Sequence, residues 1–194
     1  MKIIQIGCNN GSDDVFNFIE KHKEDLEKAL LVDANSKALK EAEIKYSDKS
    51  NFCDFKNLAI IPIDIDGGFI KLYAPEEQEI SGFSSVSRQH VVAHAHHENL
   101  IEFDVETKSL NKLIEEFGGD VDYLFIDTEG LDALNLFSLD YLNFNIKNIV
   151  FEYIHTDGIV KVGPRLNGLL TFLSQIGFKI EKDPDCEYNL IAKK

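Results

Sequence analysis

The stretch IQIGCNNGSDD, residues 4–14, runs from apolar residues through a turn of glycine and small polar residues into a helix start. Lys2 to Ile6 reads as a short strand ending at Gly7, and Ser12 or Asp13 can cap a helix. That helix would carry Val15, Phe18, Ile19 and Leu26 on one face. A second unit follows. Ala29 to Val32 is apolar and closes on Asp33, Ser36 offers an N-cap, and Leu39, Ala42 and Tyr46 share a helical face. Two strand-helix units in succession imply parallel strands joined by right-handed crossovers, because a strand buried on both faces needs helices to cover it.

Farther along, the pattern changes and then returns. NLAIIPIDI (57–65) and FIKLYA (69–74) flank Asp66-Gly67-Gly68 and read as a hairpin, and EEQEISGFSSVSRQ (76–89) has no period and reads as a loop. The segment of about 64–107 therefore looks like an insertion. Leu110, Leu113, Ile114 and Phe117 mark a short helix ended by Gly118-Gly119. YLFID (123–127) and NIVFEYI (148–154) resume the buried strands, and each ends in carboxylates. Leu166, Leu169, Leu170, Leu173 and Ile176 form the last helix, with Gly177 after it, and the tail around Asp183-Pro184-Asp185 reads as a terminal hairpin. The expected architecture is an open, mostly parallel α/β sheet with helices on both faces and an antiparallel end.

The totals narrow the partners. The chain has 194 residues, 44% of them hydrophobic, which suits one domain, 1–194. Twenty Lys and Arg against 34 Asp and Glu give a formal charge of -14, a field that repels nucleic acid and anionic bilayers. Cys8, Cys53 and Cys186 are odd in number and without a CxxC pair, which suggests neither a disulfide framework nor a zinc site. With no signal-peptide pattern and no membrane-length apolar run, the expected setting is the cytoplasm.

In an open parallel sheet, ligands bind beyond the carboxyl ends of the strands, where strand order reverses. Gly7 and Gly11 let the backbone turn and approach a ligand, and the helix from about Ser12 offers free N–H groups to an anionic group. A dinucleotide fingerprint needs glycine at its first, third and sixth positions, whereas counting from Gly7 this chain has Asn9 and Ser12 there. Asp33 can accept hydrogen bonds from ribose hydroxyls, which a dinucleotide and a nucleoside both offer. The plainer alternative is that the glycines make a tight turn and Asp33 caps a helix.

In order, IQIGCNNGS, LLVDANSKAL, NLAI, SGFSS, VETKSLNKLI and YLFIDTEGLD resemble the FkbM family of class I S-adenosylmethionine-dependent methyltransferases, and the resemblance covers most of the chain. It implies a three-layer, Rossmann-like fold: a mostly parallel seven-stranded sheet with an antiparallel C-terminal hairpin and a middle insertion over the substrate. It further implies S-adenosylmethionine as cofactor, a hydroxyl on a sugar or other small polyhydroxylated metabolite as acceptor, and a cofactor site at Gly7, Cys8, Asn9, Gly11, Ser12, Asp33, Ala34, Leu58, Ala59 and Asp127. Within that site Gly7, Asn9 and Gly11 would cradle the methionine part, Asp33 the ribose, and Leu58 and Ala59 the adenine. The family has Asp where this chain has Gln5, and Ala-Glu where it has Leu131-Asp132.

Methyl transfer to a hydroxyl requires alignment of sulfur, methyl and oxygen and removal of a proton. Asp127, Glu129 and Asp132 follow one strand, Glu152 and His155 the next, so all five should face the cleft. The expected roles are Asp127 or Glu129 orienting the acceptor hydroxyl and His155 acting as base; helix capping by the carboxylates and a solvated loop for His155 are the plainer alternatives. QHVVAHAHH (89–97) places His90 and His94 on one helical face, but with only Glu98 nearby a solvated loop or an adventitious nickel site is expected, and no metal ligands are assigned. Residues 80–95 are expected to order over bound ligands, and a second subunit, as in a homodimer, could supply the rest of the cover. The rival functions are a binding or assembly module that keeps the cofactor pocket without catalysis, and a nicotinamide oxidoreductase, against which the missing third glycine argues.

Overall fold

The structure, a computed structural model, describes residues 1–63, 68–76, 84–96, 98–159 and 161–194. Its first strands are β1 (Lys2–Ile6) and β2 (Lys28–Asp33), parallel and in register from Lys2 opposite Lys28 to Ile6 opposite Val32. Both faces of these strands are buried. Ile3, Ala29 and Leu31 pack with Val15 and Ile19 of α1 (Asp14–Lys21) and with Leu39 and Ala42 of α2 (Ser36–Lys45). Ile4, Ile6, Leu30 and Val32 pack toward the opposite layer of helices. The caps differ in detail from the sequence reading. Asp13 caps α1, accepting from Phe16 N at 3.0 Å, and Asn35 caps α2, with Ser36 inside the helix. Leu26 lies beyond the end of α1 and is buried in the same core.

After β3 (Cys53–Asn57) the chain leaves the main sheet for β4 (Ala59–Ile61), β5 (Phe69–Pro75), α3 (Arg88–Ala95) and β6 (Leu100–Ser109). It returns through α4 (Leu110–Phe117), β7 (Asp120–Ile126), α5 (Asp132–Ser138), β8 (Asn145–Glu152), α6 (Arg165–Gln175), β9 (Lys179–Lys182) and β10 (Asn189–Lys193). The seven-stranded sheet has the order β3-β2-β1-β7-β8-β10-β9. Its first five strands are parallel, and β10 runs antiparallel to both β8 and β9, which is the expected terminal hairpin. Helices cover both faces, so the three-layer Rossmann-like reading holds. Strand order reverses between β1 and β7, the place where such folds open a crevice.

The expected hairpin between 57–65 and 69–74 is not formed. β4 and β5 do not pair with each other; β6 lies between them, parallel to β4 and antiparallel to β5 over its whole length. The reason lies in β6 itself: Val105, Thr107 and Ser109 point inward while Glu102, Asp104 and Glu106 are exposed, a one-faced strand that fits between two partners. Asp66 and Gly67 of that expected hairpin lie outside the described residues, as do 80–83 of the segment expected to order over ligands. QHVVAHAHH also departs from the expected solvated loop, because α3 covers most of it: Ser87 caps the helix at His90 N, and Val91 and His90 are buried. Among the described residues no helix is long and apolar enough to cross a membrane.

Candidate functional site

Where the strand order reverses, the backbone after β1 turns back on itself. Gly7 has φ +79 and a Cβ there would collide with the carbonyl oxygen of Asp127, so the turn and the end of β7 touch backbone to backbone. Asp33 at the end of β2 ties two turns together. Its Oδ2 accepts from Asn9 N at 2.6 Å and its Oδ1 from Asn35 N at 2.7 Å. Burial pushes the Asp33 carboxyl up to about 6 in spite of those two donors.

These residues border a cavity of about 390 Å³, within the range of small-molecule sites. The structure brings Gly7, Asn9, Asp33, Ala34, Leu58, Ala59, Asp127 and Glu129 to its wall. Cys8, Gly11 and Ser12 are not brought there. Cys8 is fully buried in the core under α1, Gly11 packs against the Tyr46 ring and Ala42, and exposed Ser12 accepts from Lys45 Nζ at 2.9 Å. Sequence reasoning took Asp13 only as a cap. It also lines the cavity, with Gln5 Nε2 donating to its Oδ2 at 2.6 Å. Leu72, Ser84 and Val86, from β5 and the approach to α3, close the far side. Four carboxylates, Asp13, Asp33, Asp127 and Glu129, face this space, and no Lys or Arg does among the described residues. Such a field favours a cationic ligand.

On the opposite wall, three distant segments meet at and behind Glu129. Glu129 sits in the left-handed region at φ +50, a conformation that costs a non-glycine residue about 1 kcal/mol or more. Ser85 Oγ holds it there by donating to Glu129 O at 2.7 Å. Gly130, next in the chain, packs so closely on Gly158 that a Cβ would collide with it, which draws the loop after β8 against the loop after β7. The result is that His90 Nε2 lies 2.7 Å, His94 Nδ1 3.6 Å and His155 Nδ1 3.7 Å from Glu129 Oε2. His155 is buried, not solvated, and its Nδ1 is 3.0 Å from Glu152 Oε2.

Protonation follows from this packing. Burial opposes ionisation of Glu129, but the hydrogen bonds from His90 and His94 outweigh it and hold the carboxyl down at about 2. Burial first, then the charges of Glu129, Asp132 and Glu152, push Asp127 well above the usual carboxylate range. Asp132 is raised to about 7 by burial although Thr128 N and Gly130 N donate to it. The bond to Glu152 lifts His155 above its ordinary value against the effect of burial. The surroundings thus push Asp127 toward its neutral form and Glu129 toward its ionised form.

The description "Methyltransferase FkbM domain" matches residues 3–180. The chain belongs to the FkbM methyltransferase family. Among solved structures, methyltransferase FkbM from Methylobacillus flagellatus is 10% identical, with a TM-score of 0.56, and the alignment covers 100% of this chain but only 43% of that one. TrmK of M. capricolum, solved with S-adenosyl-homocysteine, is 12% identical over 100% of this chain and 62% of its own, with a TM-score of 0.46. No curated protein matches the sequence.

S-adenosylmethionine, the cofactor of this methyltransferase family, can be tested against the cavity. It carries a sulfonium and an ammonium, and the wall offers carboxylates without a competing cation. Asn9 Oδ1, on the cavity wall, is a buried acceptor with no hydrogen-bond partner among the described residues, ready for an ammonium donor. Asp33 faces the same space for a ribose, and Leu58, Ala59 and Ile60 give an apolar surface for a purine. The residues fit the cofactor. Asp13, which accepts from Gln5 Nε2, adds a further carboxylate to this part of the wall.

Proposed function

We propose that this chain is an O-methyltransferase acting on a hydroxyl of a small polyhydroxylated metabolite, such as a sugar. One observation carries the reading: a single cavity has a cation-suited wall at Gly7, Asn9, Asp13 and Asp33 and continues directly to Asp127 and Glu129, which the His155–Glu152 pair adjoins. Bound S-adenosylmethionine supplies an electrophilic methyl group. The protein's own task is then to fix an oxygen and take its proton. Asp127, on the same wall, orients the acceptor oxygen, and Glu129, whose ionised form the histidines favour, accepts from its hydroxyl. Glu129 passes that proton on to His155, whose Nδ1 lies 3.7 Å from its Oε2, and Glu152 stabilises the imidazolium. Neighbouring hydroxyls on the acceptor suit this wall because it has more polar groups than a single hydroxyl can use.

β5 and the residues leading into α3, within the segment of about 64–107, support a covering role, since Leu72 and Val86 reach the cavity from that side. Calorimetry with S-adenosylmethionine, followed by incubation with a panel of sugars and polyols and mass spectrometry of the products, tests the reading. A product heavier by one methylene unit is expected. Absence of cofactor binding, or methylation only at nitrogen or carbon, would overturn it.

A further inference from the structure

We propose that His90, His94, Glu129 and His155 form a binding site for one first-row divalent transition-metal ion at the edge of the cavity. One ligand atom from each of the four lies within 4.8 Å of all the others. A tetrahedral ion with bonds of ~2.1 Å sets its ligand atoms roughly 3.4 Å apart. The separations of His94 Nδ1 and His155 Nδ1 from Glu129 Oε2, 3.6 and 3.7 Å, lie near that edge length. His90 Nε2, at 2.7 Å, is drawn closer by a direct hydrogen bond, which an ion would replace.

The construction is specific. His90 and His94 stand one turn apart on α3, so both imidazoles project to one side, and their rings lie 5.6 Å apart with His155 5.3 Å from His90 and 4.4 Å from His94. Three ring nitrogens converge on a single carboxylate oxygen, which can accept from about two donors well. A cation at the centre of the four satisfies all of them together. Three structural devices hold the set: the Ser85 hydroxyl on Glu129 O, the left-handed backbone at Glu129, and the Gly130–Gly158 contact. Three imidazoles and one carboxylate suit zinc, iron, cobalt or nickel better than magnesium or calcium, which prefer oxygen.

The consequence deepens the proposed function and rests on it. Glu129 lines the cavity, so an acceptor oxygen there can join the four side chains as a fifth ligand of the ion. With the ion bound, His155 serves as a ligand in place of the base role given to it above, the ion lowers the pKa of the hydroxyl, and the proton leaves to solvent.

The test uses the full chain freed of metal by a chelator and titrated with Co²⁺ and, separately, Zn²⁺ and Mg²⁺. One Co²⁺ per chain is expected, with the visible absorption of nitrogen and oxygen ligation, displaced one for one by Zn²⁺ and not by Mg²⁺. X-ray absorption of the zinc form should show nitrogen or oxygen neighbours at about 2.0–2.1 Å with imidazole scattering from at least two rings. His94→Ala, at a partly exposed position, should weaken Co²⁺ at least about 100-fold, more than loss of an outer-shell partner does. His96→Ala, on the exposed end of α3, should leave binding unchanged. Binding that needs millimolar metal, that survives His94→Ala, that is lost with His96→Ala, or that shows fewer than two imidazoles would overturn the site. The spectrum of the native protein decides the matter even if a variant fails to fold. Titration of the metal-free chain with S-adenosylmethionine is a separate readout, so failure of the ion site and failure of the methyltransferase reading are distinguishable.

Discussion

The two walls of the cavity are built by different means. One comes largely from residues 7–35: a glycine turn, two helix caps and the carboxylate of Asp33, which accepts from Asn9 N and Asn35 N at 2.6 and 2.7 Å. The other shows Glu129, from the loop after β7, to the cavity and is backed by histidines that stand behind it: His90 and His94 from a helix of the inserted segment and His155 from the loop after β8. The first wall is fixed by local backbone geometry and offers general features of a nucleoside site. The second exists only once three loops pack on one another. Binding and chemistry should therefore separate on mutation.

The largest separation is expected at Glu129. Glu129→Gln keeps the shape but removes the charge that orients the acceptor, so turnover should fall by about 10²–10⁴-fold. Cofactor affinity measured by calorimetry should stay within a few-fold. Equal losses in both would erase the distinction between the walls. Asp33→Asn should behave in the opposite way. A hydrogen bond to a charged group contributes about 1.5–3 kcal/mol, so affinity should fall about 10–100-fold while turnover at saturating cofactor changes little.

How much of this was legible in the sequence follows the same line. Gly7, Asn9 and Asp33 could be placed because a strand, a turn and a helix cap are written in consecutive residues. The parallel sheet could be read because β1, β2, β7 and β8 are apolar on both faces. The histidine wall could not be read: His90 and His94 showed their helical spacing, but their partner Glu129 lies 35 residues beyond His94 and adopts a backbone conformation no propensity predicts. The expected hairpin failed for a related reason, since β6 is supplied from farther along the chain and inserts between the two strands. Asp13 was visible as a cap, yet nothing in its neighbours indicates that the same carboxylate also borders the cavity.

A pH titration sharpens the first wall. Asp33 in the free folded chain holds its proton up to about 6, above its value in an unfolded chain. The stability that this proton brings is fully present below the unfolded value and is lost as pH rises through about 6. Ribose hydroxyls donate to the ionised carboxylate, so cofactor affinity moves the other way, weakening about tenfold between pH 7 and pH 5 if Asp33 alone governs it. Asp33→Asn should flatten both trends. A slope that persists in that variant would assign the titration to another group.

The smallest effect is expected at Ser12, within the same glycine turn but facing away from the cavity. Its hydroxyl accepts from Lys45 on α2 at 2.9 Å and is exposed. Ser12→Ala should change stability by no more than about 0.5 kcal/mol, as surface substitutions usually do. It should leave cofactor affinity within about twofold, because an exposed neutral hydrogen bond contributes little. A tenfold loss of affinity would mean that the bound cofactor wraps past Asn9 to the start of α1, and the first wall would then extend over the helix N-terminus as well as the turn. An unchanged affinity confines recognition to Gly7, Asn9, Asp13 and Asp33, which leaves α1 to hold the turn in place by its cap and by the packing of Val15 and Ile19.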